Sequence, residues 1–420
     1  MTLLIASATA LIPSAASSSN VVYISSDGTG DGSTPDKPMG NATGYKPDND
    51  NDKKNVIYRA MEKLKESGGT IVIVGDVVID CTQARVPQSR EETLAPCEMR
   101  VPKFTTGTSL KITSVYNGVD YRAKGAKLVL DYDTCNTTTL MFPCSTTLDE
   151  LDILYKYHED YPNSWKTDFM LGGGGYKFVI GSKVNVTSLN TKTNSAGSRY
   201  PMLLGGHRYS NIKNGTNITV NSGTWSTVIA GSCGIGTNAS YGEVKGDASL
   251  TVNGGKITTV VGTGEITQPS NSVYGALAMT FTGGEIGKVY VSHGVPYPGS
   301  RIDIIITNKA NIGEFIYAPN SYAGDLEELV GKVSIKNTSS LKINTPDFTK
   351  ETEAPSATDD PAAETAAPEK ETKKAYEYDP ELGLDFPVIP SVIWVMLIIA
   401  AAVILAVKIV MNIIKLKKLG

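Results

Sequence analysis

Two carboxylates in one glycine-rich loop, Asp27 and Asp31 of Asp27-Gly28-Thr29-Gly30-Asp31-Gly32, are the first residues with chemical potential. Hard oxygen ligands on such a loop suit calcium, which gathers several carboxylate and carbonyl oxygens. The same residues also build ordinary solvated turns, and that reading competes with the first. A second pair, Asp131 and Asp133, ends the strand-like run Leu130-Asp131-Tyr132-Asp133, where a solvated strand end is the plain alternative. His158, His207 and His293 are the three histidines, and a Ser/His/Asp triad could be drawn from them. No motif supports one, and surface or turn histidines fit as well. Gly172-Gly173-Gly174-Gly175 lacks the Gly-Lys-Ser/Thr and following helix of a phosphate loop.

Five cysteines remain. Cys81 with Cys97, and Cys135 with Cys144, are close enough along the chain to bridge loops in an oxidising setting, which leaves Cys233 over. Buried unpaired thiols are the equal alternative. No Cys-x-x-Cys or paired Cys/His spacing occurs, so a zinc site is not expected. No catalytic, cofactor-binding or metal-binding residue is therefore nominated, and calcium is the one ion considered.

What must position these groups is a repeat. Thr219-Val220-Asn221-Ser222-Gly223 returns as Thr251-Val252-Asn253-Gly254-Gly255 and as Thr280-Phe281-Thr282-Gly283-Gly284. Looser copies follow at Ile306-Thr307-Asn308-Lys309 and Ile335-Lys336-Asn337-Thr338, at spacings of 25 to 32 residues. Each unit reads as strand, corner, strand, with one apolar side that it cannot bury alone. Stacking places Val220, Val252, Phe281, Ile306 and Ile335 in one interior column. A second column runs through Val228/Ile229, Val260/Val261, Val289 and Phe315/Ile316. The recurring Asn221, Asn253, Asn308 and Asn337 either ladder by hydrogen bonds or tolerate left-handed backbone at the corner. Variable spacing suits a parallel β-helix, and roughly ten coils at about 4.8 Å would span on the order of 50 Å.

The rest of the chain is segmented. Residues 1–19 are small and apolar, with Ser14 and Ala16 fitting a signal-cleavage site, although the basic start is missing. An apolar N-terminal strand is the alternative. Residues 20–345 form the expected ectodomain. Residues 346–385 carry Pro355, Pro361, Pro368 and Pro380 among Thr, Ala, Glu and Lys, and read as a disordered stalk. Residues 386–410 contain an uncharged run from Phe386 to Val407, long enough for a membrane helix. Lys415, Lys417 and Lys418 in the tail 411–420 place that end in the cytoplasm and all before the helix outside. A net charge of −4, with no dense basic patch before the tail, argues against a nucleic-acid partner.

Ahead of the repeats, Val21-Val22-Tyr23-Ile24 reads as a strand and Val56, Ile57, Ala60, Met61 and Leu64 share one helical face. Gly68-Gly69 stops that helix, and Thr70-Ile71-Val72-Ile73-Val74 follows as a buried strand. Leu110–Val115, Lys127–Leu130, Phe178–Ile180 and Val184–Thr187 look like further coils. Residues 147–165 read as a loop or short helix, since Leu148, Leu151, Leu154 and Tyr155 could share a face.

Strand, Asp-Gly-x-Gly loop ending in Pro38, amphipathic helix and Gly-Gly-Thr-Ile together resemble the opening of pectin-lyase-like right-handed β-helix proteins. With the repeats, the resemblance covers residues 21–345. It implies an all-β, right-handed parallel β-helix whose Asn55–Leu64 helix caps the stack. In that family, lyases hold calcium on acidic residues of one sheet with a nearby Arg or Lys as base, so Arg122 or Lys127 beside Asp131 and Asp133 would be the local candidates. No matching motif is present, and the polygalacturonase Asp pairs and Gly-His-Gly are also missing. The stalk and helix resemble the anchors of Gram-positive surface proteins, but Leu382-Gly383-Leu384-Asp385-Phe386-Pro387 does not match a sortase motif, which implies a retained helix.

The expected function is that of a membrane-anchored surface β-helix, non-catalytic, in adhesion or recognition of a polysaccharide or other extracellular ligand. A cell-tethered polysaccharide lyase or glycosidase is the alternative, and a structural spacer the third.

Overall fold

The computed structural model describes residues 20–44, 52–80, 99, 101–132, 139–157, 170–189, 200–207, 211–233, 242–264, 273–322, 324–346 and 348. The chain divides into two compact units, 1–351 and 352–420, and all described residues belong to the first. The signal segment 1–19, most of the stalk, the apolar run 386–410 and the basic tail lie outside the described residues. Among the described residues no helix is long and apolar enough to cross a membrane.

Nearly every strand is parallel to its neighbour. Sheet I holds ten strands: Val21–Ile24, Gly69–Ile73, Ser109–Thr113, Ser145–Leu148, Lys177–Ile180, Thr216–Val220, Ala248–Val252, Leu277–Phe281, Ile302–Ile306 and Val333–Asn337. Their spatial order is their chain order, as coiling requires: each circuit adds one rung to the same sheet. Sheet II stacks Asp76–Asp80, Lys127–Tyr132, Leu151–Tyr157 and Val184–Ser188. Sheet III stacks Thr139–Met141, Met170–Gly172, Met202–Leu204, Thr224–Ile229, Lys256–Val261, Glu285–Tyr290 and Asn311–Ile316. All pairings in these three sheets are parallel, and among the described residues the one antiparallel pair is a small hairpin, Val115–Tyr116 with Val119–Asp120. The chain is thus all-β, with stacked parallel sheets consistent with a solenoid.

The interior column forms as the repeat predicts, with one correction. Val220, Val252, Phe281 and Ile306 are paired in register and fully buried. Ile335 is not the next member. It pairs with Ile304, and Asn337 stands beside Ile306. Helix α2 (Leu326–Gly331) precedes this last strand, whose register lies two residues from the apparent repeat. The second column holds: Val228, Val260, Val289 and Phe315 pair in sequence.

The corners turn on glycine. Gly223, Gly255 and Gly284 have φ of 86°, 90° and 88°, a region that L side chains resist. No asparagine of the repeat adopts positive φ, and for Asn221 and Asn253 the left-handed reading is replaced by the ladder. Asn221 Nδ2 donates to the Ile180 carbonyl (2.8 Å), Asn253 Nδ2 donates to Asn221 Oδ1 (2.8 Å), and Thr282 Oγ1 donates to Asn253 Oδ1. Asn308 and Asn337 fall one residue off this line. Thr307 and Thr338 occupy it, their amides donating to Phe281 and Ile306.

Residues 147–157 are not a loop or helix. Ser145–Leu148 and Leu151–Tyr157 are strands, joined by a corner at Glu150 with φ 50°. Leu151, Ile153 and Tyr155 alternate inward and are fully buried, while Leu154 faces the other way. The three-residue spacing of the leucines mimicked a helical face because the corner falls between two of them.

Helix α1 (Val56–Leu64) packs on the first strands of sheets I and II. Asn55 caps it, accepting from the Ile57 amide (2.9 Å), and Asn41 accepts from the Val56 amide (2.8 Å). Val56, Ile57, Ala60, Met61 and Leu64 are all buried, the face read from the sequence. A second apolar cluster was not expected. Met141, Met170, Met202, Leu204, Ile229 and Val261 lie at the outward positions of sheet III, yet none is more than 3% exposed. Trp225 is buried completely where sheet II ends and later coils pass directly from sheet I to sheet III. Its Nε1 donates to the Ser222 carbonyl (2.9 Å).

Candidate functional site

Of the carboxylates singled out in the sequence, Asp27, Asp31 and Asp131 are described, and each is bonded locally. Asp27 accepts from Ser25 Oγ, and Asp31 accepts from the Ser33 amide (3.0 Å) and hydroxyl (2.6 Å). The Ser33 hydrogen bonds hold the Asp31 carboxyl below its usual range. Both residues thus serve their own turns. Among the described residues no group of three His, Cys, Asp or Glu could hold a metal ion. Asp133 and His158 lie outside the described residues.

Sheet II does gather charge. Lys127 pairs with Asp76 (3.0 Å), and Lys183 with Glu150 (3.0 Å). Arg122 makes a bidentate pair with Asp120, Nε to Oδ1 at 2.9 Å and Nη2 to Oδ2 at 2.6 Å. That contact, the largest cause, lowers the Asp120 carboxyl and raises the Arg122 guanidinium. Asp131 pairs with Lys156 (3.1 Å), while Arg122 and Lys127, the candidate bases, pair with Asp120 and Asp76. Asp131 Oδ1 is buried and accepts no hydrogen bond. Arg122, Lys127, Lys156 and Lys183 are therefore each matched with a carboxylate, while Lys124 lies over the Tyr121 ring. Exposed pairs of this kind are worth about 0–1 kcal/mol each.

The histidines stand at corners after sheet III. The His207 amide donates to Ser232 Oγ (3.2 Å), and the His293 ring meets Tyr290 edge-on at 4.6 Å. Cys144 is a buried free thiol in the structure. Burial pushes that thiol up. Cys233 is buried in the second apolar cluster, and Cys81, Cys97 and Cys135 lie outside the described residues. The four glycines at 172–175 form a corner, with Gly174 and Gly175 at φ 57° and 88°.

Two surfaces offer binding chemistry. On the outward face of sheet I, Thr219, Thr251 and Thr280 stand in register on successive rungs, beside Asn217, Ser249 and Ala278. The Asn221–Asn253–Thr282 ladder borders them. Ile305 and Lys336 continue the threonine rank and end its regularity.

The second surface is built where coils enter sheet I. Bridges Ile212 to Val244 and Val244 to Val273 align three successive coils there. Glu243 sits at the centre: its amide donates to Asn211 Oδ1 (3.0 Å), and its carboxylate accepts from Tyr274 Oη (2.8 Å) and Lys245 Nζ (2.7 Å). Lys245 Nζ lies 3.9 Å from the Tyr274 ring centroid, within cation–π range. Tyr297 stacks on Tyr274, centroids 4.4 Å apart and planes at 25°. Its carbonyl accepts from the Ser300 amide (2.9 Å), Ser300 Oγ (2.8 Å) and Lys332 Nζ (3.2 Å). Burial, then the Glu243 contact, pushes the Tyr274 hydroxyl up to about 12. Burial pulls the Lys245 ammonium down, but Glu243 and Tyr274 outweigh it and leave it raised. None of these residues was singled out in the sequence. The only available signal was their common place just before strands of sheet I, which becomes visible once the coils are aligned.

No protein-family model, curated protein or solved structure matches this chain.

Proposed function

We propose that this chain is a membrane-anchored surface protein whose β-solenoid recognises a glycan or another extracellular ligand without catalysis. The observation carrying this reading is the ranked outward face of sheet I, where Thr219, Thr251 and Thr280 repeat once per rung beside Asn221, Asn253 and Thr282. Hydroxyls and amides at the constant rung spacing of about 4.8 Å can bond a linear chain of repeated hydroxyls in kind. The right-handed, pectin-lyase-like form of the coil belongs to the same proposal, supported by the helix α1 after its Asp-Gly-x-Gly loop. Signal segment 1–19, stalk 346–385, membrane helix 386–410 and cytoplasmic tail 411–420 complete it, on composition alone. The test is the full-length chain in detergent on a glycan and extracellular-matrix array. Silence on both would sink the reading. Protease digestion of intact cells, releasing residues before 386 but not the tail, tests the topology.

A tethered polysaccharide lyase or glycosidase is the second reading. One observation favours it: Asp131, with one oxygen on Lys156 and the other buried without a hydrogen bond, beside a row of charged residues on sheet II. Incubation with pectate, alginate and glycosaminoglycans plus calcium would give an unsaturated product absorbing in the ultraviolet, and no product removes the lyase form.

A further inference from the structure

We infer that the Tyr297 ring is a stacking platform for an uncharged pyranose residue; this rests on the glycan reading above and gives it a place and a sugar class. Three observations carry it. First, the ring is available. Tyr297 is 41% exposed while one of its faces covers Tyr274, which leaves its exposed area on the rest of the side chain. An open aromatic face carries partial negative charge and attracts the polarised C–H bonds along one side of a pyranose.

Second, the ring is held. Its backbone carbonyl takes three donors, Ser300 N, Ser300 Oγ and Lys332 Nζ, which close the turn after Tyr297. Tyr274 beneath it is fixed in turn by Glu243 and Lys245. A side chain already ordered loses little entropy when a ligand arrives, so weak stacking contacts become usable affinity.

Third, the two lysines that touch Tyr297 and Tyr274 are already paired. Lys245 pairs with Glu243 at 2.7 Å and Lys332 with Glu328 at 2.7 Å, two cations against two carboxylates. At Lys245 and Lys332 a uronate or sulfated sugar would have to break one of these pairs, leaving a carboxylate uncompensated; the exposed Lys213, set beside Lys245 by the Ile212–Val244 bridge, lies further along the row from Tyr297. A neutral sugar needs no such exchange. The platform therefore selects against the acidic polysaccharides and for neutral hexoses.

The experiment compares full-length wild type with Tyr297→Ala and Tyr297→Phe on immobilised neutral oligosaccharides (gluco-, manno- and galacto-series) and on oligogalacturonate and oligoalginate, at low and high salt. Wild type should prefer a neutral series and bind it equally at both salt levels. Tyr297→Ala should lose about tenfold in affinity or more, and Tyr297→Phe should stay within a few-fold, since the ring and not its hydroxyl makes the contact. Near-ultraviolet circular dichroism confirms that the variants fold. Unchanged neutral-sugar binding by Tyr297→Ala overturns the site while leaving the glycan reading intact. Preference for uronates, weakened by salt, overturns the sugar class. A wild type that binds no sugar at all removes the parent reading and this one together.

Discussion

Asn253 Nδ2 donates to Asn221 Oδ1 at 2.8 Å across one rung of the solenoid, and Asn221 Nδ2 donates to the Ile180 carbonyl at 2.8 Å one rung further. The two amides thus point the same way along the stack, each donating backward and accepting from ahead. Thr282 closes the series on Asn253 Oδ1. A chain of this kind ties successive corners together where the glycines turn the backbone.

The ladder is directional, so its loss should depend on what replaces the amide. Asn253→Ala removes one exposed donor and acceptor and should cost about 1 kcal/mol. Asn253→Asp should cost more at neutral pH, because a carboxylate has no proton to offer Asn221 Oδ1. Urea-unfolding midpoints of the two variants decide it; equal midpoints with wild type would mean the ladder adds nothing.

Gly255 combines left-handed backbone with crowding. At φ 90° an added Cβ would stand 2.8 Å from the Gly223 carbonyl oxygen of the rung below. Gly107 has a similar φ of 86° but nothing within 4 Å of its would-be Cβ. Gly107→Ala should cost only backbone strain, about 1 kcal/mol, and Gly255→Ala clearly more. Thermal midpoints in the reverse order would refute the stacked-corner account.

Trp225 fills the place where three-sheet coils give way to two-sheet coils. Trp225→Ala should destabilise by about 3–5 kcal/mol through the cavity it leaves. Trp225→Phe should cost less, losing mainly the hydrogen bond to Ser222. Intrinsic fluorescence of wild type should show a blue-shifted component that disappears in both variants.

Tyr274 gives an alkaline signature. Its hydroxyl is raised from 10.0 to about 12, burial being the largest cause and Glu243 the next. A group raised on folding lends its full stabilisation below the unfolded value and loses it as pH climbs through the folded one. The stability gap between wild type and Tyr274→Phe should hold up to about pH 10 and close toward about 12. Difference absorbance between the two proteins should show one phenol titrating late; a phenol titrating with the exposed tyrosines would contradict the buried Glu243 contact.

Cys144 is predicted to be inert in the folded protein. It is buried, its Sγ 4.0 Å from Thr146 Oγ1, and burial raises its pKa, so little thiolate forms. Iodoacetamide should leave Cys144 unmodified until urea is added, by peptide mass mapping. Recovery of a Cys135–Cys144 disulfide peptide from native protein would count against the thiol state.

Much of the architecture was readable because its causes are local. Val56, Ile57, Ala60, Met61 and Leu64 announce α1 by spacing alone, and the structure buries all five. The Thr-Val-Asn and Gly-Gly units announce strand and corner. Readings failed where adjacency across rungs mattered. Leu148, Leu151 and Leu154 imitate a helix until the corner at Glu150 is known. Ile335 imitates the column of Ile306 until the pairing of the last strand, Ile304 with Ile335, is known. The outward Met141, Met170 and Met202 gave no sign of a second core, because alternation marks which residues share a face but not whether that face is covered.

By itself the sequence determined the repeating unit, the glycine corners, the inward column and the parallel stacking, since side-chain alternation and left-handed backbone are properties of a few consecutive residues. Only the tertiary structure decided which rungs lie beside which, and hence the Asn221–Asn253 ladder, the passage from three sheets to two at Trp225, and the meeting of Glu243, Lys245, Tyr274 and Tyr297. Those contacts join residues about thirty positions apart. Their distance in space is set by how much chain each circuit consumes, a quantity that no local pattern carries.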